Sequence, residues 1–90
     1  MSNSFNSKMV SKIIGIPIRV IDYWDRTNFI KPSINEASGY GSVRLYSFTD
    51  LIQFKVAKFL RDQGLSLQKI RKSLNFLRKH LPEIEKPLAR

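Results

Sequence analysis

The sequence predicts a mainly α fold, four helices with a small two-stranded β-hairpin between the second and third. Three observations predict it. Apolar residues recur at three- and four-residue spacing in four separate stretches, Gly, Pro and Asn punctuate the gaps, and a Ser- and Gly-rich stretch breaks the helical period midway.

The first helix is short, with Ser7 as N-cap and Lys8 to Ile14 as its body, and Val10, Ile13 and Ile14 supply its apolar side. Gly15-Ile16-Pro17 follows as a three-residue turn, combining a residue that tolerates positive φ with a good helix starter. The second helix runs from Pro17 to Thr27 and stops at Asn28, which tolerates the left-handed conformation. Ile18, Ile21 and Trp24 form an inward row on this helix, while Arg19, Asp22, Tyr23 and Arg26 fall at i, i+3, i+4 and i+7 on another side. A helix, a glycine-containing turn and a helix with a polar face form a helix-turn-helix pattern.

Phe29 and Ile30 return to the core, and Lys31-Pro32 imposes an extended backbone. Ser33-Ile34 and Val43 to Tyr46 read as the two extended pieces of a hairpin, or wing, around the loop Asn35 to Ser42. Ser47-Phe48-Thr49-Asp50 matches a capping box with Asp in place of Glu or Gln. It opens a third helix ending near Gln63, with Leu51, Phe54, Ala57 and Leu60 inward and Gln53, Lys55, Lys58, Arg61 and Asp62 outward. Gly64 terminates that helix and Ser66 caps a fourth. Leu67, Ile70, Leu74, Leu77 and Leu81 then make a seam of about two heptads before Pro82. Leu67 and Ile70 are expected to pack on the third helix; Leu74, Leu77 and Leu81 either pack within the chain or meet a second copy or a further C-terminal segment. The organisation expected is a lead-in over residues 1–6, one domain over 7–81 and a linker or tail over 82–90.

Ninety residues with 42% apolar content allow one small core without crosslinks. The chain has no cysteine, so it has no disulfide framework and no thiolate metal site. It has no apolar run of about 18 residues, and Met1 to Ser7 is not signal-like. His80 stands alone, with no convergent ligands for a metal, and no nucleophile and base pair is apparent; neither an enzyme activity nor a cofactor is expected. Sixteen Lys and Arg against seven Asp and Glu give a formal charge of +9, which together with the helix-turn-helix pattern makes nucleic acid the first partner to consider.

Four stretches carry a resemblance: Ile14 to Arg19, Asp22 to Pro32, Arg44 to Ser47, and Gly64 to Ile70. In that order, over roughly residues 6 to 75, the chain resembles the MerR-type winged helix-turn-helix DNA-binding domain. The resemblance implies a second helix in the major groove, a wing on the backbone, and a later helix pair against phosphates. By position it implies base-edge or groove contacts from Arg19 and Tyr23, and phosphate contacts from Tyr40, Ser42 and Arg44. Ser66, Lys69 or Arg71 would make further phosphate contacts. Many members carry arginine where this chain has Asp22, and the family's long dimerisation helix and effector domain have no counterpart among these residues.

The residue types agree with those roles. Arginine can grip guanine O6 and N7 with two parallel bonds, which suits Arg19. Tyr23 divides between nucleic-acid contact and packing on the wing. Arg26, a turn further along, suits a phosphate or a pair with Asp22. Asp22 could accept from cytosine N4, although an ion pair with Arg19 or Arg26 is the preferred reading. Arg44 on a short strand suits a phosphate. Trp24 and Tyr46 read as core anchors, and Phe48, Phe54 and Phe59 as packing residues, one of them exposed. The basic run Lys69, Arg71, Lys72, Arg78 and Lys79 is otherwise a solvated face.

The expected function is sequence-specific binding of double-stranded DNA by a cytoplasmic, nucleoid-associated transcriptional regulator. A homodimer is expected, through the fourth helix or a further C-terminal segment. Two alternatives remain: an antitoxin-type autoregulator whose C-terminal part binds a protein partner, and an excisionase-like factor that bends DNA. A membrane-surface role ranks last.

Overall fold

A computed structural model of the chain describes residues 4–35 and 43–88, with side chains as far as residue 80. The described residues form four α-helices: α1 (Ser7–Val10), α2 (Ile18–Arg26), α3 (Phe48–Asp62) and α4 (Leu67–Leu88). A π-helical turn, Ser11–Gly15, joins the first two. The chain divides into two compact units, Met1–Lys55 and Val56–Arg90.

In the first unit Asn6, not Ser7, caps α1, its side-chain oxygen accepting from the Met9 amide at 2.9 Å. The α-helix expected through Ile14 gives way at Ser11 to the wider π turn, which Gly15 ends at φ 84°. The Ser11 hydroxyl spans this turn, donating to the Ile16 carbonyl at 2.6 Å. Pro17 caps α2 with its backbone alone: its carbonyl accepts from the Val20 and Ile21 amides at 3.0 and 3.3 Å. At the far end the Thr27 hydroxyl donates to the Tyr23 carbonyl at 2.9 Å. Asn28 takes the expected left-handed conformation at φ 59°, and the Phe29 and Ile30 amides turn back onto the Trp24 carbonyl.

Those turns deliver Val10, Ile14, Ile16, Ile21, Trp24, Phe29 and Ile30 to one core with Tyr46, Leu51 and Phe54. Its aromatic centre is Trp24, whose ring lies 5.0 Å from Phe29 and 5.9 Å from Phe54; Tyr46 meets Phe54 edge-on at 5.4 Å. Three residues expected to pack are outside it, Ile13 being 53%, Ile18 41% and Phe48 51% exposed. Gln53, expected to face outward, is buried.

No β-strand forms among the described residues, which corrects the two-stranded wing. Two isolated antiparallel bridges stand in its place, Asn35 with Leu45 and Phe5 with Tyr46. The physical reason is that consecutive residues serve different partners: Leu45 exchanges hydrogen bonds with Asn35 at 2.8 and 3.2 Å, whereas Tyr46 exchanges two with Phe5 at 2.8 Å. The lead-in expected over residues 1–6 is therefore tied down at Phe5 and Asn6.

The capping box at α3 forms as expected. The Ser47 amide donates to Asp50 Oδ2 at 2.8 Å and the Asp50 amide donates to Ser47 Oγ at 3.1 Å. The same carboxylate oxygen accepts from the Ser33 amide at 2.9 Å and the Ser33 hydroxyl at 2.8 Å.

In the second unit Gly64, at φ 88°, ends α3, and the Leu65 amide donates back to the Leu60 carbonyl at 3.2 Å. Ser66 caps α4, its hydroxyl accepting from the Lys69 amide at 3.3 Å. Ala57, Ile70 and Leu74 are buried. Of the two seam residues expected to pack in the first turn, Ile70 is buried but Leu67 is 52% exposed, and Phe59 is 61% exposed. The backbone of α4 continues to Leu88 rather than stopping near Pro82. Proline removes one intrahelical donor, and the Arg, Lys, Leu and Glu around it favour helix.

Candidate nucleic-acid interface

The two sides of α2 go to opposite destinations, as the spacing requires. Ile21 and Trp24 are buried, while Arg19, Tyr23 and Arg26 are exposed. The Arg26 guanidinium lies 5.9 Å from the centre of the Tyr23 ring, so these two residues form a cation–π pair on the open face. Arg19 occupies the second position of α2, where side chains of a helix-turn-helix approach base edges.

Asp22 does not pair with Arg19 or Arg26. It accepts from Arg44 Nη1 at 3.0 Å, and Arg44 Nε also donates to Asp25. Asp22 and Asp25 lie three residues apart on one side of α2, so their carboxylates offer adjacent acceptors that match the fork of a guanidinium. Arg44, expected on a strand, is laid across α2 by these two ion pairs. Asp25 receives a second cation, Lys31 Nζ at 2.8 Å.

Asp25 is the residue that sequence reasoning missed. It is buried at 7% exposure, and the signal was available: it falls seven residues after Ile18, on the side of the inward row, where an acid requires cationic partners. Burial pushes its carboxyl up, but hydrogen bonds from Lys31 and Arg44 and their positive charges outweigh that and hold it below the ordinary carboxylate value. The bond to Asp25 correspondingly raises Arg44.

Next to this network the Tyr46 side chain is fully buried, and its hydroxyl has no hydrogen-bond partner among the described residues. Burial pushes its phenol up to about 12.

Of the remaining expected contact residues, Tyr40 and Ser42 lie outside the described residues. Ser66, Lys69 and Arg71 are exposed at the start of α4, in the second unit. Among the described residues, no three His, Cys, Asp or Glu side chains converge as metal ligands, and no helix is long and apolar enough to cross a membrane.

With this geometry in place, comparison with known proteins is decisive. A family model described as "MerR HTH family regulatory protein" matches residues 5–77. The chain belongs to the MerR family. An "Uncharacterized HTH-type transcriptional regulator" of Mycobacterium tuberculosis is 49% identical over 67 residues, covering 74% of this chain and 30% of that protein. The HTH-type transcriptional activator mta of Bacillus subtilis is 31% identical over 87 residues, 93% of this chain and 33% of its own length. This MerR chain thus spans about a third of the length of these relatives. A MerR-family transcriptional regulator from Bacillus cereus shares the fold, with a TM-score of 0.67 at 21% identity over 96% of this chain and 72% of that one. Within the MerR pattern, the aromatic pair Tyr23-Trp24 divides its labour here, one ring exposed and the other buried.

Proposed function

We propose that this MerR-family chain binds double-stranded DNA sequence-specifically as the DNA-binding module of a transcriptional regulator, with α2 in the major groove. One observation carries the reading: a helix anchored by Ile21 and Trp24 presents Arg19, Tyr23 and Arg26 together to solvent in a chain of formal charge +9. Arg19 reads a base edge, Tyr23 and Arg26 contact the adjoining groove wall and phosphates, and Asp22 serves through Arg44 rather than by touching a base.

Tyr40 and Ser42 contact the phosphate backbone. Arg44, fixed on α2, presents the rest of its guanidinium to a nearby phosphate. Ser66, Lys69 and Arg71 supply further phosphate contacts from the second unit. That the relatives are a transcriptional regulator and a transcriptional activator favours this reading over a toxin-partnered or DNA-bending role. Action in the cytoplasm, on the nucleoid, follows from it.

A module of this size buries only about 600 to 1,000 Å² against DNA, so two copies on repeated half-sites are needed for useful specificity. Selecting bound duplexes from a random pool with the purified protein tests the proposal. A recovered motif with two repeats of fixed spacing is expected; uniform, sequence-blind binding overturns it.

A further inference from the structure

The sequence pattern assigns Ile18 to the packing side of α2, yet it is 41% exposed while Ile21, one turn on, is fully buried. Ile18 is the first residue of the helix and the immediate neighbour of Arg19. It also lines a surface groove with Asn6, Lys8, Met9, Ser11 and Lys12. Met9 in that groove is 48% exposed, so two large aliphatic side chains meet solvent there. Lys8 and Lys12 are exposed, and no ion pair involves them among the described residues.

An apolar side chain at the leading end of a recognition helix, bordered by two lysines, matches one chemistry on B-DNA. Thymine alone among the four bases carries an apolar group, its C5-methyl, on the major-groove edge, and the phosphates flanking it carry the charge that the lysines complement. We infer that Ile18 reads a thymine methyl group beside the base contacted by Arg19, with Lys8 and Lys12 seating the adjacent phosphates. This rests on the DNA-binding reading above and adds to it a specificity determinant in apolar form.

The test replaces each thymine of the selected duplex, one at a time, by deoxyuridine, which removes only the methyl group. Affinities are measured for the wild-type protein and for Ile18→Ala, after a thermal melt establishes that the variant is folded. One substitution is expected to weaken the wild-type protein about fourfold, the worth of one buried methyl-sized group, and to leave Ile18→Ala unaffected. Lys12→Ala is expected to lower affinity on every duplex and flatten the salt slope by about one. Specific binding that no deoxyuridine weakens, or an equal loss in both proteins, overturns the role of Ile18 while leaving the DNA-binding reading standing. Recovery of no preferred duplex overturns both.

Discussion

The Arg44 guanidinium reaches back to α2 and donates to Asp22 at 3.0 Å while its Nε holds Asp25. The segment that enters Tyr46 is thereby fixed to the helix that carries Arg19. The two acids are not equal partners: the Asp25 side chain is 10% exposed and that of Asp22 is 37% exposed. Asp25→Asn is expected to lower stability by about 1 to 3 kcal/mol, and Asp22→Asn by less than about 1 kcal/mol. Urea denaturation checks the order, and equal losses would contradict the assignment of Asp25 as the inner acid.

Acid should expose the same pair. The Asp25 carboxyl titrates below its ordinary value of 3.8, chiefly because Lys31 and Arg44 overcome its burial. A lowered folded-state value means that the contribution is fully present above about pH 4, the unfolded value, and is lost as pH falls through the folded one. Stability of the wild-type protein should therefore drop below pH 4 more steeply than that of Asp25→Asn, as read by melting temperature against pH.

Tyr46→Phe is expected to be neutral or stabilising at neutral pH, because the hydroxyl it removes is buried without a partner among the described residues. With a folded value of about 12 against an ordinary 10.0, the phenol favours the folded state below pH 10, and that contribution fades as pH rises toward 12. The variant should lose less stability across this alkaline window. A destabilisation of several kcal/mol at pH 7 would mean that the hydroxyl has a partner after all.

Arg19 and Arg26 should separate by kind of contact. Arg19→Ala is expected to relax discrimination at one base pair, by about 1 to 3 kcal/mol, whereas Arg26→Ala should weaken all duplexes alike and reduce the salt slope by about one. Competition binding on single-substitution operators at several salt concentrations distinguishes the two. An equal loss from Arg19→Ala on every sequence would reassign it to a phosphate.

Trp24→Ala should cost about 3 to 5 kcal/mol, since the indole contacts both Phe29 and Phe54. A normal melt accompanied by lost DNA binding would instead make it a contact residue.

How much of this was legible from the residues depends on whether the cause was local. The glycine at 15, Asn28, the Ser47-Asp50 box, Gly64 and Ser66 act within a few positions of themselves, and each holds the turn or cap its chemistry suggests. The opposed faces of α2 followed from periodicity. The acid partners of Arg44 were missed because strand alternation says where a side chain leaves the backbone, not which acid awaits it across the chain. Ile18 and Leu67 were misplaced because both stand in the first turn of a helix, where the apolar stripe has already run past the edge of the core. The wing's pairing was missed because Phe5, forty-one positions before Tyr46, competes for the same backbone groups.

Asp50 has a consequence for how such proteins diversify. Its single carboxylate oxygen gathers the Ser33 amide, the Ser33 hydroxyl and the Ser47 amide, and the two serine hydroxyls meet at 2.9 Å. Ser33 and Ser47 are thereby stapled together at one point. The entropy of closing a loop grows only with the logarithm of its length, so insertions between Asn35 and Val43 should be tolerated, whereas Arg44 and Tyr46, which hold α2 and the core, should resist exchange.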